Sequence, residues 1–336
     1  MTKTPIDHKR DSGGMAHIGT VEEGAAGLMV EIDGSLYIIK EKAIYALQHA
    51  DQIDPEHTNI ELPNIIPRHV LSVGSDSELV GKTLLTAVSL FDKWKFLPER
   101  FDHAKALSLS FEVLTTVVSM RTIAEEFETA QLKAHADANR GSPDGNSMQM
   151  PCMGDVENPC RAFMQQAYHA TGSLLAIVQL FYSDIKKSPW DTLAERVQRG
   201  YGENDSFTIF LGQAVPFLKG VRNVRDGFVH GNTRGVITVS DFTLKPNGEI
   251  VPPTIEVDFG GTRHQPAHIS QFMAEILNSM VTVFEMMIAH LCSIHYQPPA
   301  PIFPLYIDIP WENRKRWKHV RFYYGARWNG EFIPVG

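Results

Sequence analysis

The segment from Val221 to Asn232 carries residue types and a spacing that could support acid–base chemistry at a phosphate. Arg225, Asp226 and His230 lie close together in it, near the end of a predicted helix. An arginine offers planar, paired donors that fit a phosphate, and a histidine titrates near neutral pH and can exchange a proton. Together they could stabilise charge on phosphate oxygens while a proton moves at a neighbouring hydroxyl group.

The helix predicted for Phe207 to His230 directs Arg225 toward an apolar face. At about 100° per residue, Arg225 falls at the centre of the face formed by Phe207, Leu211, Ala214, Leu218 and Val221. Because an unpaired buried guanidinium is costly, we expect Arg225 to have a partner. Asp226 lies four residues from both Arg222 and His230, so it can pair with Arg222 and hold one nitrogen of the imidazole.

Arg225-Asp226-x-x-x-His230, followed by Gly231, resembles the Arg-x4–6-His motif of HEPN domains. The resemblance extends over about the central two-thirds of the chain and implies a helical bundle that forms a homodimer. It also implies that the arginine and histidine of two subunits meet in one cleft. Active members are metal-independent endoribonucleases, often toxins or defence proteins. By position, Arg225 would stabilise the phosphate, His230 would be the acid–base residue, and Asp226 would be the polar supporting residue.

The chemistry implied by the resemblance is RNA cleavage through attack by the RNA's own 2′-hydroxyl group, with no metal and no cofactor. The helix geometry sets one condition on it. Five residues along a helix turn by about 140°, so Arg225 and His230 of one chain point to different sides. Either the helix ends between Gly227 and His230, or a second subunit completes the site. We favour the second subunit, and hence a homodimer.

An alternative interpretation gives the same residues structural roles. Arg225 would pair with an internal carboxylate such as Glu112 or Glu125, and His230 would stabilise the last helical turn, where a cation is favoured by the helix dipole. The chain would then be a non-catalytic dimerisation or binding module with an unknown protein partner. Loss of stability in Arg225→Ala, with function unchanged in His230→Ala, would favour this alternative.

The tail from Trp311 to Trp328 interleaves basic and aromatic residues and could bind single-stranded RNA, with rings stacking on bases and cations meeting phosphates. The candidate RNA-binding residues are Arg222 on the helix and Arg316, Lys318 and Arg321 in the tail. The alternative, which we prefer, is a pair of C-terminal strands with Asn329-Gly330 as the turn, packed on the acidic surface of the protein.

Composition limits the classes of protein that fit. The chain has 336 residues, 43% of them hydrophobic and 21% charged, which suits a packed core. Its net charge of -8 means that any contact with nucleic acid must be local. Three cysteines and a polar N-terminus without a signal peptide predict a cytoplasmic protein without disulfides. We find no uninterrupted apolar run long enough to span a membrane.

The predicted fold class is α+β, mainly α: an antiparallel, HEPN-like helical bundle over 73–295, with a β-hairpin inserted at about 236–259. Residues 1–72 form a flexible lead-in and a small α/β region, and 296–336 form the tail. In the N-terminal region, Asp33-Gly34 predicts a hairpin turn and Lys42–Asp51 a short helix. Ser75 and Glu78 predict a capping box. The four long predicted helices are His103–His135, Arg161–Lys186, Phe207–His230 and Ser270–His295.

Overall fold

The computed structural model of the chain describes residues 3–12, 14, 16–91, 96–139, 148–231, 235–297, 305–308, 317–329 and 331–334. Helices and antiparallel sheets are both present, and helices form the larger part, so the predicted class of α+β, mainly α, is confirmed. Two compact units divide the chain: unit 1 is 1–111 with 292–336, and unit 2 is 112–291. The predicted N-terminal region and tail thus fall in the same unit.

Unit 1 contains a four-stranded antiparallel sheet in the order β1-β2-β3-β4. Its first two strands meet at Asp33 and Gly34, whose φ angles of 50° and 71° are those that a tight hairpin turn needs. The predicted hairpin is therefore confirmed. The strands are β1 (Ala26–Ile32), β2 (Ser35–Lys40), β3 (Ile44–His49) and β4 (Ile65–Leu71).

Two predictions for the N-terminal region are wrong. The segment Lys42–Asp51 is mainly strand β3, and only α2 (Ala50–Ile53) is helical. A continuous apolar run does not distinguish a buried strand from a helix, and pairing with β2 and β4 decides it. The expected flexible lead-in contains helix α1 (Pro5–Asp11), capped by Thr4.

The remaining helices of unit 1 follow the sheet. The predicted capping box at Ser75 is wrong, because the N-cap is Ser77 and the helix begins at Glu78. Helix α3 (Glu78–Val80) continues through a π-helical turn, Gly81–Leu85, into α4 (Thr86–Phe91). Unit 1 also includes the first part of α5 (His103–Asn139), the last residues of α9 (Ile269–His295), and the strands β10 (Leu305–Asp308), β11 (Phe322–Trp328) and β12 (Glu331–Pro334).

Unit 2 contains most of α5 and α9 with three further helices: α6 (Glu157–Phe181), α7 (Pro189–Tyr201) and α8 (Ser206–His230). The four long predicted helices are confirmed, with ends that differ by a few residues. Helix α7 was not predicted. Helix α8 packs against both α6 and α7, and its residues Phe207, Leu211 and Leu218 are buried.

The β-structure of unit 2 is larger than the predicted hairpin. Strands β5 (Gly235–Ser240), β8 (Thr254–Phe259) and β9 (Thr262–His268) form a three-stranded antiparallel sheet. Between β5 and β8, the short strands β6 (Thr243–Leu244) and β7 (Ile250–Val251) form a separate ribbon. The sheet therefore lies directly between α8 and α9 in the sequence.

Within the described residues, α5 and α9 have the length and apolar composition that a membrane-spanning helix also has. The most apolar window of α9 is 61% buried inside the protein, as expected of a core helix, and that of α5 is 44% buried. One or two such helices are weak evidence for a membrane span. The cytoplasmic location stays a prediction.

Candidate functional site

The C-terminal half of α8 is held against the three-stranded sheet. Asn223 donates hydrogen bonds to the carbonyl oxygen of Gly260 (3.1 Å) and to Oγ1 of Thr262 (2.9 Å). One turn later, Gly227 is buried so closely that an added Cβ atom would lie 2.6 Å from Cδ1 of Ile237. Residues four apart share a helix face, so these two residues define the sheet-facing side of α8.

Arg225 points away from the sheet, because two residues turn a helix by about 200°. Its Nε atom donates to Oε1 of Gln165 on α6 at 3.1 Å. The guanidinium carbon lies 4.4 Å from the centre of the Tyr168 ring, a cation–π contact. The guanidinium is therefore anchored on α6, at the edge of the core, with 24% of the side chain exposed.

Asp226 organises the arginines beside it. Its Oδ1 accepts a hydrogen bond from Nη1 of Arg225 at 2.8 Å, and its Oδ2 lies 3.6 Å from Nε of Arg222. The predicted pairing with Arg222 is confirmed. Asp226 does not hold the imidazole of His230, which was the other expectation. One carboxylate thus serves two guanidinium groups, and this local group carries one net positive charge.

His230 is the last residue of α8, and its side chain is exposed. Among the residues that the structure describes, none forms a hydrogen bond or ion pair with its ring. The helix is continuous from Arg225 to His230, so the two side chains leave it about 140° apart. Gly231 is the C-cap of the helix, and Asn232 lies outside the described residues.

Three residues on α6 belong to the site and were not predicted. Tyr168 and His169 follow Gln165 by three and four residues, so both lie on the same helix face as Gln165. Nε2 of Gln165 lies 2.7 Å from Nε2 of His169, which links the imidazole to Arg225 through the amide. The spacing of polar and aromatic residues is visible in the sequence, but only the packing of α6 on α8 identifies Arg225 as their partner.

A cavity of about 710 Å³ adjoins this group. Its walls include Tyr168, His169 and Arg222, so it shares three residues with the group around Arg225. Trp190 and Asp191, near the beginning of α7, also line it. The oxygens Oδ1 and Oδ2 of Asp191 both lie 3.1 Å from Nζ of Lys219, another lining residue.

The carboxylates proposed as partners of Arg225 have other contacts. Oε2 of Glu112 accepts a hydrogen bond from Oγ of Ser173 at 3.0 Å, and Glu125 lies 3.5 Å from Nε of Arg121. The expectation that Arg225 bridges to one of these internal acids is therefore wrong. Its acidic partner is Asp226, the next residue in the sequence, whose side chain is partly exposed to solvent.

The tail forms strands, as the preferred alternative predicted. Strand β11 pairs with β12 around Asn329, whose φ is 51°. Phe322 and Tyr324 are buried, so these two rings are not free to stack on bases. Lys318 is exposed, and the guanidinium of Arg321 lies 4.8 Å from the centre of the Phe322 ring. Arg316 lies outside the described residues.

No family model, curated protein or solved structure matches this chain. The resemblance to HEPN domains therefore rests on the motif from Arg225 to His230. Among the described residues, no three His, Cys, Asp or Glu side chains are placed to hold a metal ion together.

Proposed function

We propose that this chain is a HEPN-like, metal-independent endoribonuclease that acts as a homodimer, with a toxin or defence-type role. RNA would be cleaved by attack of its 2′-hydroxyl group on the adjacent phosphorus, with loss of the 5′-oxygen of the next nucleotide. Arg225 would stabilise the charge on the non-bridging phosphate oxygens. His230 would remove or deliver a proton. Because the two side chains diverge on one helix, the histidine would come from the second subunit.

The observation that carries this proposal is that the Arg225 side chain is held in one orientation and is still partly exposed. A ring, an amide and the carboxylate of Asp226 fix its orientation, yet the side chain stays partly exposed. A guanidinium that is oriented before its ligand arrives needs little reorganisation in the transition state. Arg222 and Arg225 share one carboxylate, which leaves net positive charge for a phosphate. Arg222 thus stays a candidate RNA-binding residue.

The test is cleavage of a mixed RNA pool by the purified chain in the presence of a chelator. We expect cleavage by the unaltered protein, with a loss on the order of a hundredfold or more in Arg225→Ala and in His230→Ala. The products should carry 2′,3′-cyclic phosphates. Lys245→Gln, in the ribbon of β6 and β7, is the control and should cleave normally. Absence of cleavage by the unaltered protein at high concentration would contradict the proposal.

A second candidate is the non-catalytic dimerisation or binding module, possessing no nuclease activity. Two observations favour it: Arg225 already has three partners within its own unit, and His230 has none among the described residues. Under this candidate, Arg225→Ala lowers the melting temperature, because it leaves Gln165 and Asp226 without their partner. His230→Ala melts normally and keeps every function.

A further inference from the structure

We propose that the cavity beside Arg225 binds one nucleotide of single-stranded RNA, with the base on Trp190 and the phosphate toward Arg222. This inference rests on the proposed function, since it names the substrate-binding part of the same site. The cavity volume of about 710 Å³ lies within the range of roughly 300–1,000 Å³ usual for small-molecule sites.

The cavity lies beside the group around Arg225. Tyr168 forms part of its wall and also supports the guanidinium of Arg225. Arg222 lies in the wall and shares Asp226 with Arg225. A phosphate bound by Arg222 would therefore lie at the wall of the cavity, close to the group around Arg225.

The charged side chains of the wall suit a ligand that has an anionic part and a hydrogen-bond-donating part. Both cations of the wall, Lys219 and Arg222, lie on α8, three residues apart and hence on one face. The acids lie on other helices: Asp191 on α7 pairs with Lys219, and Glu112 on α5 accepts a hydrogen bond from Ser173. A nucleotide has both parts, because its phosphate is anionic and the N–H groups of its base can donate hydrogen bonds to a carboxylate.

The wall also contains an aromatic ring and an oriented hydrogen-bond acceptor. Trp190 is half-buried in the wall, and an indole ring can stack on any base. The carboxylate of Glu112 is oriented by the hydroxyl group of Ser173 at 3.0 Å. Stacking provides affinity without a sequence preference, and the carboxylate can distinguish bases by their hydrogen-bond donors.

The test is calorimetric titration of the full chain with nucleoside 3′-monophosphates, nucleosides and inorganic phosphate. A single-stranded RNA with 2′-O-methyl groups throughout, which cannot be cleaved by 2′-hydroxyl attack, is titrated in parallel. We expect the nucleoside monophosphates to bind more tightly than the nucleosides or inorganic phosphate alone. Trp190→Leu should weaken binding about tenfold, because stacking of one base is worth that much, whereas Trp190→Phe should retain most of the affinity.

Lys219→Gln has a matched control. Lys219 and Lys245 are each 52% exposed and each form one ion pair, at 3.1 and 3.0 Å. Lys219→Gln should weaken binding of the monophosphates and of the methylated RNA, and Lys245→Gln should leave both unchanged. Circular dichroism confirms that each variant is folded. The inference would be overturned if Lys219→Gln and Trp190→Leu bound nucleotides as tightly as the unaltered chain, or if the unaltered chain bound no nucleotide.

The two proposals fail differently. If nucleotides bind in the cavity but no RNA is cleaved, the nuclease proposal is wrong and the nucleotide site stands. If RNA is cleaved while the cavity variants bind and cleave like the unaltered chain, the nucleotide site is wrong and the nuclease proposal stands.

Discussion

The guanidinium of Arg225 lies over the ring of Tyr168, with 4.4 Å between its central carbon and the ring centre. This contact joins α8 to α6 at the point where the candidate catalytic residues begin. It also orients a cation without neutralising it, since an aromatic ring attracts a cation through its quadrupole and carries no net charge. The chemistry that we propose depends on that orientation.

Two substitutions of Tyr168 distinguish the contribution of its ring from that of its hydroxyl group. Tyr168→Phe keeps the ring, so we expect RNA cleavage close to that of the unaltered chain. Tyr168→Leu keeps an apolar side chain but loses the cation–π contact, and cleavage should fall about tenfold, as the loss of 1–2 kcal/mol would produce. Steady-state cleavage rates measure both. Equal rates in the two variants would show that the ring does not position Arg225.

Gly227 tests the packing of the sheet on α8. Alanine is normally the better helix former by about 1 kcal/mol, but an added Cβ would meet Ile237 at 2.6 Å. Overpacking costs about 1–3 kcal/mol, so Gly227→Ala should lower the free energy of unfolding. Gly212 on the same helix has no atom within 4 Å of an added Cβ. Gly212→Ala should therefore be neutral or stabilising by up to about 1 kcal/mol.

Denaturant titration of the two glycine variants gives the comparison. A stabilised Gly227→Ala would mean that the sheet yields readily and does not hold the end of α8. A destabilised Gly227→Ala with unchanged Gly212→Ala would confirm that the sheet fixes the helix that carries Arg225.

The attachment of α1 should depend on pH through His57. Nδ1 of His57 lies 2.7 Å from Oδ1 of Asp7 on α1, and Nε2 lies 3.3 Å from Oδ1 of Asp51. The hydrogen bond to Asp7 is the main cause that raises the pKa of His57 above 6.5. A raised pKa means that the protonated form favours the folded state, so this stabilisation is complete below pH 6.5 and is lost as the pH rises through the folded pKa.

Hydrogen exchange of the α1 amides across this pH range measures the effect. After correction for the intrinsic exchange rate, protection of α1 should decrease above neutral pH. Asp7→Asn should show weaker protection at low pH and little change with pH. Protection of the unaltered chain that does not vary with pH would contradict the role of His57.

Local chemistry explains what could be predicted from the sequence. Asp33-Gly34 specifies its turn through positive φ at both residues, and the helix face from Phe207 to Val221 follows from periodicity. Strand β3 could not be recognised, because its buried apolar run has no period. The contact between Gln165 and Arg225 joins residues 60 apart in the sequence. Neither the contact of Arg225 with α6 nor the reason for Gly227 is encoded locally.

The most direct measurement mixes two inactive variants, Arg225→Ala and His230→Ala, and assays RNA cleavage in the presence of a chelator. If each site takes its arginine from one subunit and its histidine from the other, a mixed dimer contains one site in which both are intact. We therefore expect activity to reappear in the mixture after subunit exchange, although each variant alone is inactive. A mixture that stays inactive, with mixed dimers demonstrated, would contradict a site shared between two subunits.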